Sequence, residues 1–396
     1  MSRLVEDLKN RKPYAMSPLA HFIYLGLALV GLITFVLAFR LDHSRAWHGF
    51  LVNYFFWFSL SLSGLFFTAL NYVTGAMWAS PLKRIPESLM GFLPVAFLLM
   101  LVLLGGMHSL YEWTHAEAVQ NDPILAAKSG YLNLPFFVIR NVLFFVVWIG
   151  VGLWLLKNSL QQDRTGDVGL TRLNKTISAP FLLFFALSFT VASFDWLMSL
   201  EPHWFSTIFG VYCFAGLFES GMAITILFVL ALRKQGALKD VVNENHLHDL
   251  GKLMFAFCVF WTYIAFSQYM LIWYGNLPEE TVYMMKRTEG PWMPVALFLL
   301  IGKFIIPFFL LINRLAKRSP AYLSFVAVWV LVAQWVDIYW IVYPMVGEKP
   351  VFGWQEIGMT LGFLGLFVLS VTAILQRVRP IAIHDPKLSD GLHHHQ

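Results

Sequence analysis

The chain has 396 residues, of which 58% are apolar, 17% aromatic and only 13% charged, and its mean hydropathy is +0.65. A soluble domain of this size carries about a quarter charged residues, so the composition excludes a water-soluble globular protein and makes the bilayer the solvent. The formal charge of +5 does not point to nucleic acid, because the basic residues sit in short stretches between apolar runs rather than along one helical stripe.

Met1 to Ala15 is polar and holds Arg3, Lys9, Arg11 and Lys12. The apolar run behind it is long enough to stay in the membrane, so it reads as an anchor rather than a cleavable leader. A spanning helix needs about 20 mostly apolar residues, and ten runs meet this: 18-39, 50-72, 90-110, 133-156, 178-199, 205-232, 249-274, 291-313, 321-344 and 354-376. The expectation is an all-α integral membrane protein, with a polar segment 1-17, a ten-helix membrane domain 18-376 and a polar, disordered tail 377-396. His393, His394 and His395 in that tail are assigned no function. An even number of spans leaves both termini on one side. That side carries 19 Lys and Arg against 6 on the other, so the positive-inside rule puts both ends in the cytoplasm. Trp, Tyr and Pro cluster at the opposite helix ends, as in Trp196 to Trp204 and Trp340 to Pro344, and read as headgroup-level anchors.

Redox centres find no ligand set. Cys213 and Cys258 stand alone within apolar runs, with no CxxC or CxxCH spacing, and membrane haem needs two facing axial ligands where only His21 lies well inside a run. No catalytic residue and no metal site is assigned.

Function is sought where charge is expensive, since a charged group near the bilayer centre costs about 2.5 to 3.5 kcal/mol on insertion scales. The fourth run carries Arg140 and Asn141, the fifth Asp195, the sixth Glu219, the seventh Lys252 and Gln268, the eighth Lys303, and the ninth Gln334 and Asp337. By depth, Arg140 meets Asp195, as a buried ion pair or a second path, and Lys303 reaches Asp337, Gln334 or Glu219. The bland alternative is that all of these are static pairs fixing helix register. Asp195 and Asp337 each stand seven residues before a proline, Pro202 and Pro344, and each follows a helix with one cation. Runs 2-5 and 6-9 therefore read as two four-helix bundles (50-199 and 205-344), an internal duplication running in one direction, flanked by runs 1 and 10.

Proton movement requires titratable and water-holding groups at several depths. A series can be drawn from His246, His248 and Lys252 through Glu219 and Lys303 to Gln334, Asp337, Gln268 and the region of His203. A quinone docked between helices would use Tyr, Trp and His near an interface, for which His108, Tyr111, Asp195 and His203 are the candidates; the alternative is that they are interfacial caps.

Two stretches are more specific than hydropathy: Ser193-Phe-Asp-Trp-Leu-Met-Ser-Leu-Glu-Pro-His-Trp-Phe-Ser-Thr-Ile-Phe-Gly-Val-Tyr212, and Phe266-Ser-Gln-Tyr-Met-Leu-Ile-Trp-Tyr-Gly-Asn-Leu-Pro-Glu-Glu280. They resemble the NrfD-like (polysulfide-reductase type) membrane subunits of bacterial alternative complex III, in particular the shorter of its two such subunits, and the likeness spans all ten runs. The resemblance implies a bacterial inner-membrane subunit of a quinol:electron-acceptor oxidoreductase that delivers electrons to a cytochrome c or an oxidase. It implies as partners the longer sister ActC, an iron-sulphur subunit, c-type cytochrome subunits, small membrane subunits and a terminal oxidase. Haem c and iron-sulphur clusters would sit in those partners, the main quinol site in the sister, and a second quinone or quinol contact and proton translocation in the shorter subunit. Two rivals stand beside this reading, an independent secondary transporter and a purely structural membrane anchor.

Overall fold

The computed structural model describes Leu8 and residues 11-395; Arg3 and Lys9, counted above towards topology, lie outside them. Among the described residues, ten helices are long and apolar enough to span a membrane: α1 Pro18–Leu41, α2 His43–Thr74, α3 Ser80–Leu110, α4 Leu134–Thr165, α5 Gly169–Leu200, α6 Phe209–Lys234, α7 Glu244–Gly275, α8 Gly290–Ile312, α9 Pro320–Met345 and α10 Trp354–Leu375. The described residues form no strand, as an all-α membrane protein requires. Local chemistry sets the ends. Ser17 caps α1 ahead of Pro18, Asp42 caps α2, and Asn243 opens α7 in a capping box with His246. Gly75 and Gly166 close α2 and α4 at φ of 67° and 72°, where a side chain would strain the backbone.

Helices α2 to α5 form one four-helix bundle and α6 to α9 a second. In each, the first helix packs on the second and fourth, and the third packs on the second and fourth. The bundles meet along α2 and α6, so these two helices are buried along most of their length. Outside them, α1 and α10 pair closely and lean on α2. Gly31 faces Gly362 there, and a Cβ on either would collide with the other's backbone.

Two helices depart from regular α geometry in their interior. Helix α3 is interrupted by 3-10 turns at Met90–Phe92 and Leu104–Gly106, and α8 contains a π-helical segment, Leu299–Ile305.

The chain end differs from the expectation of a disordered tail. Residues after α10 cross the face where α1 begins and α10 ends, here the terminal face. Ile381, Ala382 and Leu388 are buried, Lys83 pairs with Asp385 at 2.7 Å, and Lys387 Nζ donates to Gly75 O at 2.5 Å. Asn243 and Asn245 both donate to His394 O, and His394 lies 2.6 Å from Asp249. The polar composition of the segment hides three apolar anchors and ionic partners that belong to distant helices.

Candidate functional site

In the second bundle, Lys303 lies in the π-helical segment of α8, a distortion often found at functional positions. The widened turn leaves carbonyls that neighbours satisfy: Trp329 Nε1 donates to Gly302 O at 2.6 Å and Cys258 Sγ to Lys303 O at 3.5 Å. Gln334 and Asp337, three residues apart on α9, share one face. Lys303 Nζ donates to Gln334 Oε1 and to Asp337 Oδ2, each at 2.5 Å, and sits 3.9 Å from the ring centroid of Trp261 on α7. The Tyr212 hydroxyl on α6 donates to Asp337 Oδ1.

Glu219, two helical turns along α6 from Tyr212, is completely buried. Neither of its carboxyl oxygens has a hydrogen-bond partner within the described residues. Burying an ionised carboxylate without a partner costs far more than burying the neutral acid. A group in this position can hold a proton and is destabilised on losing it, while the positive charge of Lys303 nearby offsets part of that penalty.

The corresponding pair of the first bundle is arranged differently. Arg140 donates to both oxygens of Asp195, from Nη2 at 2.9 Å and from Nε at 3.1 Å. The Tyr131 hydroxyl adds a bond at 2.9 Å and Asn141 Nδ2 one at 3.4 Å. The guanidinium also donates to Tyr131 O and lies over the rings of Tyr131 and Phe136. Every strong valence of this carboxylate is used, and α2 carries no acidic residue to match Glu219. Both pairings inferred from depth are present, but only the second bundle adds an unpartnered acid.

The other expected residues are placed as follows. Gln268 is buried on α7, two turns from Trp261, with its amide nitrogen lacking a hydrogen-bond partner. Lys252 is not drawn into the mid-membrane group: its side chain is 45% exposed and pairs with Asp249 at 2.6 Å. Each of the four residues expected to hold a quinone has a contact within the chain. His108 stacks on His115 at 3.7 Å, Tyr111 is buried and donates to Trp196 O at 2.9 Å, and Asp195 is committed to Arg140. His203 lies 2.5 Å from Asp122, and this hydrogen bond holds the Asp122 carboxyl below its ordinary range.

Sequence reasoning did not anticipate Tyr212 and Trp261 as contacts of the ionic group. It also missed a buried cluster near the terminal face, where Arg84 bonds Glu87, Asp163 and Ser159. The Arg84 and Glu87 pair stands at i, i+3 spacing one turn before the apolar run placed at 90-110; starting that run ten residues earlier would have exposed it.

No protein-family model matches the chain, and no curated protein matches it significantly.

Proposed function

We propose that this chain is a proton-conducting membrane subunit of a respiratory quinol:electron-acceptor oxidoreductase of the alternative complex III type, in the role of its shorter NrfD-like subunit. Its terminal face lies towards the cytoplasm of the bacterial inner membrane. The observation that carries the proton role is Glu219, an acid buried at mid-depth with no hydrogen-bond partner, beside the Lys303, Asp337 and Tyr212 network. A static register pair looks like Arg140 and Asp195, with each oxygen satisfied; Glu219 does not. The complex assignment rests on the two long stretches around Asp195 and Gln268, and the orientation on the excess of basic residues at the terminal face. Electron-carrying groups belong to the partner chains in this reading, and this chain's own residues hold and pass protons.

Against an independent transporter, the irregular segments fall in the second helix of one bundle and the third of the other, whereas transporters of duplicated design break matching helices around a shared site. Purification through this chain in mild detergent, followed by haem spectroscopy and quinol-dependent acceptor reduction, tests the assignment. Co-purified c-type haem with quinol oxidation is the expected result. In vesicles containing the assembled complex, Glu219→Gln should abolish proton release while electron transfer continues. A chain that purifies alone without haem sinks the complex, and unaltered proton release in the variant sinks the relay.

A further inference from the structure

We infer that the cleft between the end of α6, the loop that follows it and the start of α9 binds the headgroup of an anionic phospholipid in the leaflet on the terminal side. The cleft has a volume of about 820 Å³, within the range of about 300 to 1,000 Å³ that small-molecule sites occupy. Three cations line it, Arg233 and Lys234 from the last turn of α6 and Lys239 from the loop, against a single acid, Asp240. The opposite wall is the start of α9, with Ala321 and Ser324. No side chain caps that helix end, so its positive dipole adds to the field of the cations.

Cations in the last turn of a helix need no ligand to explain them, because they offset the negative end of the helix dipole. Two observations go further. Lys239 lies beyond the helix, in the loop, yet lines the same cleft. Arg233 Nη1 is buried and has no hydrogen-bond partner among the described residues. A guanidinium nitrogen taken out of water without an acceptor is destabilising, and a phosphate is the acceptor that its fork of donors matches.

What selects a lipid over a free anion lies deeper along α9. Ala321 on the cleft wall is followed at helical spacing by Phe325, Val328 and Val332, and all three are exposed on the outside of the chain. This stripe runs down a spanning helix from the cleft into the apolar layer. Cations and hydrocarbon-facing side chains are thus stacked in the order in which a phospholipid presents its phosphate and its acyl chains. The site is independent of the Glu219 relay.

The full chain, purified in mild detergent and freed of lipid, is titrated with phosphatidylglycerol, with zwitterionic phosphatidylcholine and with inorganic phosphate, and the bound adducts are counted by native mass spectrometry. Phosphatidylglycerol should be bound in preference to phosphatidylcholine. A basic residue near a membrane surface contributes about 1 kcal/mol of attraction, so Arg233→Gln and Lys239→Gln should each weaken phosphatidylglycerol binding about fivefold, and together about 25-fold. Lys175→Gln, which removes an exposed cation from α5 on the same face, should leave binding unchanged. Lys239 is exposed, so its variant reads the site even where Arg233→Gln fails to fold. Equal weakening by Lys175→Gln would reduce the effect to diffuse surface charge and overturn the site. Displacement of the lipid by inorganic phosphate at equal concentration assigns the cleft to a free anion and overturns the lipid. A phosphatidylglycerol content of the assembled complex that Lys239→Gln does not change gives the cleft to a protein partner, and likewise overturns it.

Discussion

Glu219 and Asp195 are both completely buried carboxyl groups on spanning helices, yet one has no hydrogen-bond partner and the other has three donor residues, and replacement should separate them. Glu219→Gln removes no hydrogen bond and is expected to lower the unfolding midpoint in detergent by less than Asp195→Asn does. Asp195→Asn leaves Arg140 buried without a counter-charge and should cost about 3 to 5 kcal/mol, read as a large fall in the unfolding midpoint. Lys303 and Asp337 behave as a unit: Lys303→Met and Asp337→Leu singly should each destabilise, and the double variant should recover much of the loss. Recovery measured by the same melting assay, without recovery of proton release, separates packing from relay chemistry. Both ion pairs were legible in the sequence because antiparallel neighbours bring equal depths together. Tyr131 and Tyr212 were not, since a tyrosine near a headgroup boundary has the same sequence appearance whether it anchors a helix or bonds a buried acid.

At the scale of the helix, the π-helical segment of α8 decides where Lys303 points. Deleting Ile301 would let the segment relax to regular α geometry, and one residue fewer turns everything beyond it by about 100°. Lys303 would then leave Gln334 and Asp337, and Trp329 and Cys258 would lose their acceptor carbonyls. The expected outcome is a complex that still inserts but has lost proton release and melts lower, measured on vesicles and by thermal unfolding. An unchanged proton yield would show that the bulge has no role in positioning the lysine. Apolar runs located all ten spans, but several begin or end deeper in the aqueous boundary than the runs suggested. Helix α3 starts at Ser80 rather than near residue 90, because Pro81, Lys83, Arg84 and Pro86 read locally as a loop. What turns that stretch into buried helix is Asp163, a partner from α4 that no local pattern announces.

Over the whole molecule, two bundles of similar packing have been given unequal chemistry, and the C-terminal segment ties their terminal ends together. It holds the first bundle through Lys83 and Gly75 and the second through Asn243, Asn245 and Asp249. Its amino-acid composition concealed this, since polar residues docked on a protein surface resemble those left in water. Asp385 provides the test. Burial raises its carboxyl pKa, but the charge and hydrogen bond of Lys83 outweigh burial and hold it below the ordinary range. A carboxyl group depressed in the folded state contributes stability above its unfolded value, about pH 3.9, and that contribution is lost as pH falls through the folded value. Asp385→Asn should therefore loosen the segment at neutral pH, detected as faster protease cleavage after residue 376 and a lower melting point. The gap between variant and parent should stay constant down to about pH 4 and close below it. If the gap persists unchanged in acid, the Lys83 pair is not what secures the segment, and the apolar anchors Ile381 and Leu388 must hold it alone.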